Sequence, residues 1–301
     1  MSESRITKSI LERYEIYFNI DMQYRLAPSN IQRSRNKIRF ALINAARFGF
    51  ISALVCEQTW GVTRAKALEF LGKLVTQGYL VLVQTERAAD RRIYVLTFKG
   101  AQFASEMMRL DVQFRSAKEP ITQVNQNAIM HDSVLSFVLN QGINNKTSEG
   151  LAKPLWTSFL TEMEFKRLYP SSTVKNVDGL VRLPTGEVAA VELEASFKRK
   201  SPHETTLLKL KDSLISESPL YDKVFIISCS ERINADTQRF YEQLLDELPD
   251  RTDRKTKQPL LTRYEAASLR EIIIFRTKFI ECMFRPITIT HFGSIRSLIS
   301  V

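Results

Sequence analysis

Cysteine and histidine are scarce in this chain of 301 residues, and long apolar runs are lacking. The three cysteines, Cys56, Cys229 and Cys282, lie far apart and show no metal-ligand spacing. A disulfide scaffold or a structural zinc site would need more of them, so we expect a reduced, cytoplasmic protein. No apolar run reaches the ~20 residues of a transmembrane helix, and no cleavable signal peptide opens the sequence. The sequence therefore predicts a soluble protein without membrane insertion.

Positive charge exceeds negative charge, and the excess lies towards the N-terminus. The net charge is +10, with 19 lysines and arginines against 11 acids in residues 1–120 and 24 against 22 in residues 121–301. A basic surface attracts polyanions, although many proteins carry one only for solubility. The charge distribution therefore favours a polyanionic partner that meets the N-terminal part first.

The length and the 44% apolar content predict two domains of mixed α and β structure. Residues 1–35 are predicted to be a helical extension, because Ile10, Tyr14 and Phe18 belong to a helical apolar stripe that breaks near Pro28. That stripe could pack on the body of the protein or on a second copy in a homodimer. Residues 36–115 are predicted to form the first domain, residues 116–126 a linker, and residues 127–301 the second domain.

The first domain is predicted to consist of three helices followed by two strands around a polar loop. Helices are predicted at residues 38–48, 51–56 and 62–77, and strands at residues 79–84 and 92–98. A closing helix is predicted at residues 102–115. This order, the Gly-Tyr-Leu after the third helix and the Tyr-Val-Leu-Thr-Phe-Lys-Gly at the second strand resemble the winged helix-turn-helix.

The winged-helix resemblance implies that helix 62–77 enters the major groove of double-stranded DNA. Thr63, Arg64 and Lys66 would then lie nearest the bases or phosphates. The loop residues Arg87, Arg91 and Arg92 would lie along the backbone or in the minor groove. The alternative is a protein-interaction module, because winged helices also serve that purpose.

Residues 177–195 are predicted to form a hairpin that closes on the turn residues Pro184, Thr185 and Gly186. A three-residue loop pairs Leu183 with Glu187, and the same count places Asp178 opposite Glu192. The odd positions are mostly apolar, whereas the even positions carry Asp178, Arg182, Glu192, Glu194 and, if the strand extends, Lys198. The two strands therefore bring acids to one face.

Like charges on paired strands destabilise a sheet unless a cation offsets them. Carboxylate oxygens are the ligands that Mg²⁺ or Mn²⁺ prefers, so Asp178, Glu192 and Glu194 are predicted metal ligands. The alternative is an ordinary hairpin whose polar face is solvated.

These residues resemble the PD-(D/E)xK nuclease superfamily, in which an Asp is followed on the next strand by an acid, any residue and a lysine. The chain departs from that pattern, since Val-Asp replaces Pro-Asp and Glu194 occupies the lysine position. Lys198 is the natural substitute for the lysine. The resemblance implies a restriction-endonuclease-like mixed sheet, with one more acid from the preceding helix.

That preceding helix is predicted at residues 156–169, where Glu162 and Glu164 flank the apolar stripe and spacing does not choose between them. An earlier helix at residues 127–139 carries His131 beside Asp132. A histidine next to a carboxylate can act in catalysis, but more often it caps or packs at a helix end.

A closer resemblance covers residues 38–224. A winged helix, a His-bearing helix, a Trp-x4-Thr-Glu-x-Glu segment, an Asp-Gly hairpin and a Glu-x-Glu strand are similar to the replication-relaxation family and the MobC-type plasmid mobilisation relaxases. The resemblance implies a bacterial, cytoplasmic protein that nicks DNA at a transfer origin with auxiliary mobilisation or coupling proteins. By this resemblance Asp178, Glu192 and Glu194 are metal-side acids, Lys198 stabilises charge and Glu162 is the helix acid.

The better-known relaxases use a histidine pair separated by one hydrophobic residue, and His131, His203 and His291 lack that spacing. The nicking that the resemblance implies is therefore expected to use metal-activated water. Two alternatives stay open at this point. One is a non-catalytic winged-helix regulator with a nuclease-fold interaction domain, and the other is a restriction-type nuclease that cuts both strands.

Overall fold

The computed structural model describes residues 3–114, 116, 118–170 and 174–277. The chain forms two compact units, and the division differs from the predicted linker at residues 116–126. Unit 1 contains residues 1–192 and 208–224, and unit 2 contains residues 193–207 and 225–301. Among the described helices, none is both long enough and apolar enough to cross a membrane.

The first helix, α1 (Glu3–Phe18), packs on unit 1. Ile10, Tyr14 and Phe18 lie four residues apart on one face and are all buried. The Tyr14 hydroxyl donates a hydrogen bond of 2.8 Å to the carbonyl oxygen of Leu220. Of the two arrangements that the sequence left open for this stripe, the structure shows packing on the body of the protein.

Three helices and a hairpin follow in the predicted order, with boundaries shifted by a few residues. They are α2 (Asn30–Phe48), α3 (Ala53–Trp60), α4 (Arg64–Thr76), β1 (Leu80–Gln84), β2 (Arg92–Leu96) and α5 (Phe98–Met108). Gly49 ends α2 in the left-handed conformation, at a φ of 81°, and Thr63 caps the start of α4. Strands β1 and β2 pair antiparallel from Leu80 with Leu96 to Gln84 with Arg92.

The closing helix of this region was predicted at residues 102–115, and that boundary is wrong at its start. Helix α5 begins at Phe98 because the Thr97 hydroxyl accepts a hydrogen bond from the backbone N–H of Gly100. This capping bond satisfies a free donor at the helix start.

Residues 156–169 were predicted to be one helix, and that prediction is wrong. The structure has a strand, β3 (Ser158–Thr161), followed by a short helix, α7 (Glu162–Leu168). All four residues of β3 are buried, so both of its faces contact protein and its apolar residues carry no helical period. Thr161 and Glu164 then form a capping box that starts α7.

The hairpin consists of β4 (Gly179–Arg182) and β5 (Val188–Glu194), and its register is the predicted one. Gly179 pairs with Val191 and Arg182 with Val188, and the backbone N–H of Leu183 donates to the carbonyl oxygen of Glu187 over 2.8 Å. Gly186 takes a φ of 94° in the turn, a conformation that glycine adopts without strain.

The five strands β3 to β7 form one mixed sheet in the order β3-β4-β5-β6-β7. Helix α6 (Ile129–Ile143) precedes this sheet in the chain, and α8 (Lys200–Leu214) follows the hairpin. Unit 2 then contains most of β6 (Lys223–Ser228), together with α9 (Glu231–Glu247), α10 (Arg263–Ile272) and β7 (Ile273–Arg276). Residues 284–301, for which the sequence made no prediction, lie outside the described residues.

Candidate functional site

All seven residues of β5 are buried, and this changes the setting of the predicted acids. Glu192 and Glu194 are 8% and 4% exposed. The alternative of a solvated polar face therefore does not describe this strand. Charged side chains are rarely buried unless they are paired, so each acid requires a compensating group.

Asp178 lies one residue before β4, and its compensating group comes from α6. His131, in the first turn of α6, has its Nε2 atom 3.4 Å from Asp178 Oδ2 and its Nδ1 atom 3.2 Å from Asp132 Oδ1. Burial of the ring lowers the pKa of His131, but the hydrogen bonds to Asp132 and Asp178 outweigh this effect and raise the pKa to about 10. His131 is therefore a cation at neutral pH and faces a predicted metal ligand.

Glu192 is paired with Lys175, a residue that the sequence analysis did not single out. The Lys175 Nζ atom lies 2.8 Å from both carboxylate oxygens of Glu192 and also donates to the carbonyl oxygen of Asn176 over 2.7 Å. The side chains of Lys175 and Glu192 are 18% and 10% exposed. An ion pair at this depth is screened little by salt.

Glu194 belongs to unit 2, where it pairs with the predicted charge stabiliser Lys198. The Lys198 Nζ atom lies 3.0 Å from Glu194 Oε1, and the lysine side chain is 43% exposed. The backbone N–H of Cys229 donates to the carbonyl oxygen of Glu194 over 3.0 Å. Burial, with the charge of Glu194, raises the pKa of the Cys229 thiol to about 12, so this cysteine stays protonated at neutral pH.

Each of the three predicted metal ligands therefore has a protein cation beside it. Within unit 1, the register continued by one residue places Asp178 opposite Glu192, and His131 and Lys175 offset the repulsion between them. Among the described residues, no group of three or more histidine, cysteine, aspartate or glutamate side chains could hold a metal ion. Asp178 and Glu192 are still a suitable donor pair by chemistry, because Mg²⁺ is commonly held by one or two carboxylates and several waters.

The two candidate helix acids have other partners. Glu164 accepts hydrogen bonds of 2.8 Å from Nε and Nη2 of Arg47, and these side chains are 3% and 0% exposed. Glu162 pairs with Lys166 one turn further along α7. The group that contacts Asp178 comes instead from α6.

The predicted DNA-contacting residues of α4 divide into exposed and internal groups. Lys66 is exposed in the first turn of the helix. Thr63 is the N-cap, and its hydroxyl accepts from the backbone N–H of Lys66. Arg64 is partly buried and forms ion pairs with Glu57 of α3 and Asp90 of the β1–β2 loop. Arg64 therefore holds the loop against the helices.

The three loop arginines also differ from one another. Arg91 is 72% exposed and pairs with the exposed Glu86 over 3.1 Å. Arg92 is exposed, and its Nε donates to the carbonyl oxygen of Asp90 over 3.3 Å. Arg87 contacts the Asn127 side chain. Among the predicted DNA residues, Lys66 and Arg91 are exposed and therefore available to an outside partner.

Sequence reasoning missed the contacts of His131 with Asp178 and of Lys175 with Glu192. The His131-Asp132 pair was visible in the sequence, but its approach to a hairpin 47 positions later depends on tertiary packing. Lys175, three positions before Asp178, carried no motif that marked it.

Comparison with models of protein families, with curated proteins and with solved structures finds no match to this chain.

Proposed function

We propose that the chain is a metal-dependent DNA endonuclease or nickase that binds duplex DNA through α4 and the β1–β2 loop. The proposed nuclease class is PD-(D/E)xK-like, and the proposed biological setting is nicking at the transfer origin of a plasmid or mobile element. One observation carries the proposal. A buried central strand presents Glu192 in register with Asp178, and basic side chains surround this acidic pair.

The DNA-binding part of the proposal is supported by the exposed charge of the first five helices and the hairpin. Lys66 is exposed at the start of α4, and Arg91 is exposed in the loop. Basic side chains on a helix and an adjacent loop suit contacts to phosphates on both sides of a groove. This arrangement supports the winged-helix interpretation of residues 36–115.

The chemistry assigned to the site depends on which groups face the acids. Asp178 and Glu192 would hold Mg²⁺ or Mn²⁺, and the bound ion would activate water and polarise the scissile phosphate. Lys175 is a cation that can turn from Glu192 to a phosphate oxygen. Protonated His131 can likewise donate a proton or a hydrogen bond at its Nε2 atom.

Plasmid nicking tests the enzymatic part. A pool of supercoiled plasmids carrying fragments of the source genome is incubated with the full chain and Mg²⁺ or Mn²⁺. We expect open-circular product from the wild type, and a loss on the order of 100-fold in Asp178→Asn and Glu192→Gln, because each removes a charge from the reacting site. Asp212→Asn, at an exposed position of α8, is the matched control. Equal nicking by the wild type and Asp178→Asn would refute the metal site, and linear product would indicate a restriction-type nuclease.

Salt dependence tests the DNA-binding part separately. Lys66→Ala and Arg91→Ala should each weaken duplex binding and reduce the slope of log K against log salt by about 0.9, the value for one lost phosphate contact. Arg239→Ala, which removes an exposed charge on α9, is the control. Unchanged slopes in both variants would contradict the assigned face.

A second function is favoured by the ion pairs themselves. Because Asp178, Glu192 and Glu194 each already contact a protein cation, the acids can be purely structural, and the chain would then be a non-catalytic DNA-binding regulator. In that case Glu192→Gln should lower stability and leave duplex binding unchanged, and neither Mg²⁺ nor Mn²⁺ should raise the melting temperature of the wild type.

A further inference from the structure

Two helices of unit 1 place positive charge on one surface. Arg33 and Lys37 of α2 lie four residues apart and therefore share one face of that helix. Lys66 and Lys73 of α4 lie seven residues apart, which is about two turns, and also share a face. Arg33 and Lys37 are half-buried, whereas Lys66 and Lys73 are exposed. We call these four residues the basic cluster.

Lys37 joins the two halves of the basic cluster. Its ammonium lies 5.3 Å from the ring centroid of Trp60 and 5.5 Å from that of Phe70, and the two rings contact each other edge to face. Phe70 is on α4, four residues after Lys66 and three before Lys73. Because aromatic faces attract cations, the two rings hold Lys37 beside the exposed lysines of α4.

The positive charges of the basic cluster repel one another. Burial lowers the pKa of Lys37. The charges of the other three cations of the cluster lower this pKa further, whereas Cys56 acts in the opposite direction. Like charges that lie this close together destabilise the folded chain, so their grouping on a surface favours an anionic partner.

The carboxylates of the chain leave most of this charge uncompensated. Glu69 pairs with Lys73 over 2.7 Å, but both side chains are more exposed than buried, and such pairs bind weakly. Within the part of the chain that the structure describes, no carboxylate forms an ion pair with Arg33, Lys37 or Lys66. These three cations are therefore available to an anion from outside the chain.

Gly72 marks a place where a partner can come close to α4. It precedes Lys73, is exposed and has no positive φ, and a Cβ atom added to it would meet no described atom within 4 Å. Glycine in the interior of a helix is destabilising relative to alanine. Because packing within the described chain does not require a glycine here, the missing side chain instead leaves room for an outside partner at the α4 backbone.

We propose that the phosphate backbone of duplex DNA runs along the basic cluster, so that α2 is a third DNA-contacting element beside α4 and the β1–β2 loop. This inference deepens the proposed function of DNA binding and rests on it. Arg33 and Lys37 would contact phosphates, and the backbone would approach α4 closely at Gly72. Duplex DNA fits because its phosphates repeat along the strand and can meet several cations at once, and because Lys66 is already assigned to DNA.

Binding of the full chain to a fluorescent duplex of mixed sequence, measured over a series of salt concentrations, tests the charge contacts. Arg33→Gln and Lys37→Met should each reduce the slope of log K against log salt by about 0.9, the value for one lost phosphate contact. Methionine keeps a flexible apolar side chain against the two rings. Arg35→Gln, at an exposed position on the opposite face of α2, is the matched control and should leave the slope unchanged.

The variant Gly72→Leu tests the close approach without changing charge. It should weaken duplex binding on the order of 10-fold at every salt concentration, as overpacking of a tight contact does, and leave the slope unchanged. Its melting temperature should rise, because leucine favours a helix more than glycine does. Weaker binding by a more stable protein would be a steric effect on the partner and not a loss of folding.

The outcomes separate this inference from the proposed function. Reduced slopes in Arg33→Gln and Lys37→Met, with weaker binding by Gly72→Leu, support the path along the basic cluster. Unchanged slopes in the two α2 variants, or wild-type affinity in Gly72→Leu, overturn that path, and a reduced slope in Lys66→Ala would then leave the proposed function standing. A wild type that binds vesicles of anionic phospholipid and no duplex overturns both, and assigns the cluster to a membrane surface.

Discussion

Arg47 carries a full charge into the interior of unit 1, and its environment shows why a single residue can control stability there. Its guanidinium is 0% exposed, pairs with Glu164, donates to the carbonyl oxygen of Phe159 over 2.6 Å and lies 4.4 Å from the Phe159 ring centroid. Arg47→Met leaves Glu164 buried without a counter-charge, and we expect a loss of about 3–5 kcal/mol in the free energy of unfolding. Urea unfolding at pH 7 measures it.

Two further variants separate the charge from the shape of this site. The double variant Arg47→Met with Glu164→Gln removes both charges and keeps a residue that can complete the capping box, so it should recover more than half of the loss. Lys73→Met breaks the exposed pair with Glu69 and should leave the free energy of unfolding almost unchanged. A loss in Arg47→Met as small as that in Lys73→Met would contradict the assigned role.

His203 is a buried histidine of unit 2, and it should make stability depend on pH. It is 2% exposed and packs against Phe240 and Tyr241, with ring centroids 5.7 and 5.6 Å away. Burial, with the nearby charge of Lys198, lowers the pKa of His203 from 6.5 to about 4. Between these values the unfolded chain binds a proton and the folded chain does not, so stability falls as the pH drops from 6.5 to 4.

The variant His203→Phe keeps an aromatic ring at this position and removes the imidazole that binds the proton. Relative to it, the wild type should lose roughly 2–3 kcal/mol more of its unfolding free energy between pH 7 and pH 4. Urea unfolding of both proteins across that range gives the difference, with the shared titration of surface acids cancelling. Parallel pH profiles would show that His203 is not buried in its neutral form.

At the scale of elements, α1 behaves as part of unit 1. Tyr14 is 0% exposed and its ring lies 5.9 Å from that of Phe18, whereas Ile16 on the same helix is 53% exposed. Tyr14→Ala should therefore cost about 3–5 kcal/mol of unfolding free energy, as other large aromatic deletions do. Ile16→Ala should cost less than about 1 kcal/mol, and similar losses in the two variants would mean that α1 is not packed as described. Chemical denaturation again provides the measurement.

The hairpin shows how much of an element's structure can be determined from local sequence patterns. Pro184, Thr185 and Gly186 set the turn, and the strict period of two then sets the register, so the pairing of Gly179 with Val191 followed from the sequence. Residues 158–161 show the limit. A four-residue strand buried on both faces has no period of its own. Its apolar residues, which precede α7, therefore matched the spacing expected of one longer helix.

Part of the candidate site could likewise be predicted from the sequence, and part of it could not. The placement of Asp178 opposite Glu192 depended on neighbouring strands and could be predicted. Their cations could not, because His131 and Lys175 reach them through tertiary packing that no short motif records. Two acids on paired strands need positive charge nearby, and the structure provides an amino-acid cation for each of them.

At the scale of the whole molecule, residues on the two sides of the predicted linker at 116–126 make buried contacts with one another. Unit 1 joins the first helices to the sheet through the Arg47–Glu164 pair, a hydrogen bond of 3.0 Å from the Thr161 hydroxyl to the carbonyl oxygen of Arg47, and the contact of Phe48 with Phe159. Sequence composition suggested a boundary there, since the segment is polar and contains Pro120. The buried contacts favour one cooperative unit, whereas the composition of the segment favours two domains.

Cleavage of the chain tests this integration. A specific protease site inserted after Lys118, an exposed position, lets the chain be cut once within the predicted linker. We expect the two pieces to elute together in size-exclusion chromatography without denaturant, because the buried Arg47–Glu164 pair and the aromatic contact would have to be exposed to water to separate them. Urea should release them, and the same chain left uncut is the control. Separate elution of the pieces without denaturant would instead establish residues 36–115 as an independent domain, as the sequence had predicted.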